Sequence, residues 1–82
     1  MPGRRRLTGR EVLRALGTFG FEVVATRGSH AKLCRVARTG ERQTLTVPLH
    51  RTLAPGTLQA IIRQAARYVP VSELQRRLFH DG

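Results

Sequence analysis

Apolar residues recur with a helical period at both ends of the chain and alternate with polar residues in between. The clearest helical period is TLQAIIRQAAR, residues 57–67, where Leu58, Ile61, Ile62 and Ala65 stand at i, i+3, i+4 and i+7. Near the start, LTGREVLRALGTFG puts Val12, Leu13 and Leu16 on one face. Thr8 stands three residues before Glu11, the spacing of a capping box, and Gly20 falls where a helix C-cap would. A first helix is therefore expected over about 9–18. Pro70 ends the second helical run, and Ser72 with Gln75 offers another capping box for a short last helix holding Leu74 and Leu78.

Between the helices lie three strand-like runs: FEVVA (21–25), HAKLCRVA (30–37) and QTLTVPLH (43–50). RTGER is the turn between the last two, and RTLAPGT is a loop leading to the second helix. The order α-β-β-β-α with an extra C-terminal helix predicts an α+β fold, a three-stranded antiparallel sheet with helices on one face. Alternation fixes the faces. A second hairpin centred on Gly40 sets Leu33 opposite Val47, Ala31 opposite Leu49 and His30 opposite His50. A first hairpin centred on Gly28 adds Val23 and Ala25, with Phe21, to the apolar side. His30, Lys32, Cys34, Thr44, Thr46, Pro48 and His50 then make a polar-leaning face that the helices leave open.

Eighty-two residues allow one small domain, expected over 7–82, with MPGRRR (1–6) as a mobile basic arm. A chain of this length buries only about 60–65% of the surface that its unfolded form exposes. The one cysteine, Cys34, permits no intrachain disulfide, and no secretory segment is evident; both suit a cytoplasmic setting. No apolar run approaches the ~20 residues of a membrane helix, so no membrane partner is expected.

Charge adds the partner class. Fifteen Lys plus Arg against five Asp plus Glu give a net charge of +10, and Lys32 is the only lysine. Codon bias in a GC-rich genome would explain arginine over lysine but not the shortage of acids. Such a field favours a polyanion, either nucleic acid or an acidic protein.

One stretch carries candidate chemistry. ATRGSHAKLCR (25–35) sets His30 directly after a Gly-Ser pair, mid-chain, where a vector scar does not occur. Gly28 allows a backbone conformation that brings main chain close to a ligand. Ser29 adds a hydroxyl and an N–H, while Arg27, Lys32 and Arg51 would hold a phosphate. These are the groups needed to cleave RNA without a metal. A base takes the 2′-hydroxyl proton, cations stabilise the charged phosphorane, and an acid protonates the leaving 5′-oxygen. An imidazole, with a reference pKa of ~6.5, serves either role. His30 is the candidate catalytic residue, with Ser29 and His50 as auxiliaries. Arg27, Gly28, Lys32 and Arg51 are the candidate RNA-binding residues. The competing reading makes the histidines ordinary surface or structural groups.

Other chemistries find less support. Cys34 and the histidines lack CxxC or HxxxH spacing, so no metal site is expected. Cys34 lies about 13 Å along its strand from His30 at ~3.3 Å per residue, too far for a Cys–His pair. The acids Glu11, Glu22, Glu41, Glu73 and Asp81 are scattered, which argues against a two-metal nuclease. There is no Walker-type phosphate loop, and no small-molecule cofactor is expected. His80, near the end, reads as a solvated residue.

Taken together in order and spacing, TGREVLRAL, GFEVVATRGSHAKL, TVPLHR and GTLQAIIRQA resemble the HicA toxin family, also called YcfA-like, over about Leu7 to Leu78. The resemblance implies a double-stranded-RNA-binding-domain-like fold and an mRNA-cleaving ribonuclease held inactive by a cognate HicB-like antitoxin. It also implies that the catalytic histidine is the one in the Gly-Ser-His turn, here His30. CRVARTGERQ makes a longer and more basic hairpin than the family's, and ARYVPVSEL replaces its short approach to the last helix.

The leading expectation is a toxin that binds single-stranded or structured mRNA and cuts it. The alternatives are a non-catalytic RNA-binding module of the same fold and a purely protein-binding subunit. Charge does not separate them, because phosphate and an acidic partner select the same surface. The Gly-Ser-His turn does. A pure duplex binder is also expected to show a lysine-rich start to its last helix, where GTLQAIIRQ has only Arg63.

Overall fold

A computed structural model describes residues 6–79 of the chain. The elements run α1 (Gly9–Gly17), β1 (Glu22–Arg27), β2 (His30–Val36), β3 (Arg42–Pro48), α2 (Pro55–Ala65) and α3 (Val71–Phe79). Of the basic arm expected over 1–6, only the exposed Arg6 is described; the rest of the arm, and His80, lie outside the described residues.

The capping box at α1 is formed. Thr8 Oγ1 accepts from the Glu11 N–H at 3.0 Å, and Glu11 Oε1 accepts from the Thr8 N–H at 2.9 Å. Two of the helix's orphan donors are thus satisfied at once. The helix stops at a turn closed by Gly20, whose φ of +96° suits a residue without a Cβ. Helix α2 starts two residues earlier than its apolar period, because Pro55 stands at its first position, where a missing N–H costs nothing. Ser72 does not cap α3. It lies inside the helix, and the Pro70 carbonyl accepts the first helical bond, from the Leu74 N–H at 3.1 Å.

The sheet is antiparallel in the order β1-β2-β3, with helices on one face, which fits the double-stranded-RNA-binding-domain-like description. Ala31 and Leu33 of β2 and Leu45 and Val47 of β3 are buried on that face. They share one core with Val12, Ala15 and Leu16 of α1 and Ile61, Ile62 and Ala65 of α2. Leu74 and Leu78 join this core from α3, which packs on α1 and α2. The Gln64 side chain of α2 also reaches β3, accepting from the Thr46 N–H and donating to its carbonyl, each at 3.4 Å.

Strand β1 departs from expectation. All six of its residues are exposed, and Val23, expected in the core, is 47% exposed. Helices α1 and α2 lie over β3, and α3 covers the other helices rather than the sheet, so β1 is an uncovered edge. Phe21, just before it, closes the core at that end and is 3% exposed.

The far end of β2 is tied down by Arg35. Its Nε donates to Gln43 Oε1 at 2.8 Å, Nη1 to the Phe19 carbonyl at 2.9 Å and Nη2 to the Tyr68 carbonyl at 3.2 Å. The guanidinium also sits 4.8 Å from the centre of the Phe21 ring. One planar fork thus joins the turn after α1, strand β3 and the segment after α2.

No helix among the described residues is long and apolar enough to cross a membrane.

Candidate functional site

Two hairpins set the positions of the candidate residues. In the first, Arg27 pairs with His30 across a two-residue turn, Gly28–Ser29. Gly28 has a φ of +57° while Ser29 has none in the positive range, the pattern of a type II′ turn. Its backbone twist matches that of the strands, and it demands little beyond glycine at the first central position. Farther along, Val23 pairs with Leu33, one residue out of step with the turn, and the bulge at Val24 absorbs the difference. The bulge lets the turn's register and the core's register coexist on one strand. Beyond it Ala25 pairs with Lys32 and Arg27 with His30, so both β1 residues join the open face. The expectation that Ala25 lines the core therefore fails, because a two-residue turn cannot be centred on Gly28 alone.

The second hairpin corrects a sharper expectation. Its loop is Arg38–Thr39–Gly40, closed by the Ala37 N–H donating to the Glu41 carbonyl at 2.8 Å, with Gly40 at φ +94°. Glycine at the third position of a three-residue loop puts the centre on Thr39, not Gly40. Every pair expected across this hairpin is accordingly displaced by two residues. Leu33 meets Leu45, Ala31 meets Val47, and His30 meets Pro48 rather than His50. A shift of two preserves the faces, so the apolar and polar sides stand as expected.

His50 lies just past β3 and is exposed. Its segment is still bonded to the turn: the Leu49 N–H donates to the Ser29 carbonyl at 2.6 Å, and the His50 carbonyl accepts from the Gly9 N–H at 2.9 Å. Arg51 follows, exposed, in the loop to α2.

The open face is thus a lattice of rows. Arg27, His30 and Pro48 form the row nearest the turn, then Ala25, Lys32 and Thr46, then Glu22, Cys34 and Thr44, with Val36 and Arg42 at the far end. Residues directly opposed in such a sheet have Cβ atoms about 4.5–5.5 Å apart, close enough for Arg27 and His30 to hold one phosphate between them. Arg27, Ser29, His30, Lys32 and Arg51 are all exposed, and their side chains make no hydrogen bond or ion pair among the described residues. These donors are free to meet a ligand. Among the described residues the one carboxylate on this face is Glu22, two rows from His30. Cys34, in the same row, is 8% exposed, being flanked by a strand on each side. Among the described residues no three His, Cys, Asp or Glu side chains gather as a metal site would require.

Two residues that shape this region were missed by sequence reasoning. Arg35 reads as one more cation in a basic hairpin, and nothing local marks it as an internal clamp. Gly9 did leave a signal: glycine directly after an N-cap is a poor helix former, which points to a close backbone approach.

No curated protein and no solved structure matches the chain significantly. The family model described as the HicA toxin of bacterial toxin–antitoxin systems matches residues 9–66, from the first residue of α1 to just past the end of α2. The match spans well over half of the chain and contains the histidine turn, both hairpins and the two sheet-covering helices: the chain belongs to the HicA toxin family, and so is the toxin of a bacterial toxin–antitoxin system with a cognate antitoxin as partner.

Proposed function

We propose that this toxin is a cytoplasmic endoribonuclease that cuts mRNA by acid–base chemistry at His30 and needs no metal. In this reading residues 7–82 are one toxin domain, with 1–6 as a basic arm. Arg27 and Lys32 hold the scissile phosphate against the open face, assisted by the Gly28 backbone and by Arg51. His30 takes the proton of the 2′-hydroxyl, the 2′-oxygen attacks the adjacent phosphorus, and the bond to the 5′-oxygen breaks. The leaving oxygen takes a proton from solvent or from His50, and Ser29 donates to a phosphate oxygen. The products are a 2′,3′-cyclic phosphate and a 5′-hydroxyl. The HicB-like antitoxin neutralises the toxin by covering the same face, whose cations suit an acidic partner as well as they suit phosphate.

The observation that supports this reading most is the pairing of Arg27 with His30 across the turn, with Lys32 in the next row and no described side chain competing for them. The test is cleavage of a short RNA beside the same strand carrying a single 2′-deoxy sugar at the cut site. Cleavage of the first and not the second, undiminished by a chelator, is expected. Binding without cleavage would replace the proposal with a non-catalytic RNA module. Neither binding nor cleavage would leave a protein-binding subunit.

A further inference from the structure

The first residue of α1 is packed against the segment that carries His50. Gly9 is buried, and its N–H donates to the His50 carbonyl at 2.9 Å. A Cβ added there would overlap the Pro48 carbonyl oxygen and come within 2.8 Å of the Leu49 Cα and 3.2 Å of the His50 nitrogen. All three are backbone atoms, so no side chain can swing aside to make room. The same segment continues into the histidine turn through the Leu49 N–H, which donates to the Ser29 carbonyl at 2.6 Å. Its other end is stitched to the lead-in of α1, where the Leu53 N–H donates to the Leu7 carbonyl at 2.8 Å. Leu7 and Leu53 are both buried in the core.

We infer that Gly9 is a positioning residue for the His30 turn, a role that rests on reading that turn as catalytic. Three backbone hydrogen bonds lead from the core, through Leu7–Leu53 and Gly9–His50, to Leu49–Ser29. They give an exposed two-residue turn a fixed place relative to His50 and Arg51, which no side-chain bond of the turn to another described residue supplies. A side chain at position 9 displaces Pro48–His50 and with it the partner of the Ser29 carbonyl. Gly17, at the other end of the same helix, has nothing within 4 Å of an added Cβ and serves as the control.

The experiment compares full-length Gly9→Ala, Gly17→Ala and His30→Ala with the parent, at a temperature where circular dichroism shows each folded. For Gly9→Ala, kcat on RNA is expected to fall ~10–100-fold while KM stays within about twofold, since misplacing a reacting group by about 1 Å has costs of this order. Gly17→Ala is expected to match the parent. Amide hydrogen exchange supplies a readout that does not depend on activity. The Leu49 amide is expected to be protected in the parent and to exchange at least tenfold faster in Gly9→Ala, an opening equilibrium of the kind that exchange reports. An unprotected Leu49 amide in the parent overturns the lock without any variant having to fold. Parental kcat in Gly9→Ala, with His30→Ala inactive, overturns the positioning role and leaves the catalytic reading standing. If the parent does not cut RNA, the catalytic reading falls and takes the role of Gly9 in catalysis with it.

Discussion

Strand β2 begins at His30 and ends one residue past Arg35, and its two ends behave in opposite ways. Arg35 donates to three acceptors on three different elements and lies over an aromatic ring. His30 is exposed, as are Arg27 and Lys32 beside it, and none of these side chains bonds to another of the described residues. Both ends are basic in a chain of net charge +10, so charge alone does not say which cations meet a ligand. Unsatisfied donors narrow the choice. A cation whose hydrogen bonds are used inside the fold supports architecture, and one whose donors face solvent is available to phosphate.

Substitutions at the two ends separate these roles, and the core sets the scale. Ile61 is 2% exposed beneath the sheet, so Ile61→Ala is expected to cost ~2–5 kcal/mol in chemical denaturation. A cost below about 1 kcal/mol would mean that α2 does not cover the sheet. Arg35→Ala is expected to cost ~1–3 kcal/mol, because the Phe19 and Tyr68 carbonyls lose their partner in a half-buried setting. Arg35→Lys should recover little of it, since one ammonium cannot reproduce a planar fork. Val23→Ala, on the uncovered edge, should stay within about 0.5 kcal/mol of the parent despite the apolar residue removed. At the open end, Lys32→Gln should leave stability alone and shallow the salt dependence of RNA affinity by about 0.7–0.9 in log–log slope, the share of one phosphate contact. Arg35→Ala should leave that slope unchanged. A slope change at Arg35 and none at Lys32 would invert the comparison.

Much of the architecture was legible in the sequence because short-range chemistry specifies it. The Thr8–Glu11 capping box, the period of Leu58, Ile61, Ile62 and Ala65, and the alternation along β2 and β3 each depend on neighbours a few residues away. What failed was geometry held in turns and at long range. The register of the second hairpin depended on whether Gly40 is the centre of its loop or the last residue of it, a difference that moved His30 from His50 to Pro48. The first hairpin hid a bulge at Val24, which reconciles the Arg27–His30 pairing at the turn with the Val23–Leu33 pairing farther along. Burial of Val23 does not follow from alternation, which says which face a residue takes and not whether anything covers that face. The acceptors of Arg35 on Phe19 and Tyr68 lie 16 and 33 residues away in the chain, beyond any local pattern. The Gly-Ser-His turn stood out in the sequence because its residue types are few and adjacent. The row of partners around it became visible only with the register.

On the proposed function, the two ends of β2 divide chemistry from architecture. The most direct measurement is the single-turnover rate of RNA cleavage by His30→Ala and Arg35→Ala, each paired with its unfolding free energy. The expected pattern is crossed. His30→Ala loses ~10²–10⁴ in rate, the usual worth of one general acid or base, while its stability stays within about 0.5 kcal/mol of the parent. Arg35→Ala loses stability and, at a temperature where it is folded, retains the parental rate. A His30→Ala protein that is folded and cleaves RNA as fast as the parent would contradict this division of roles.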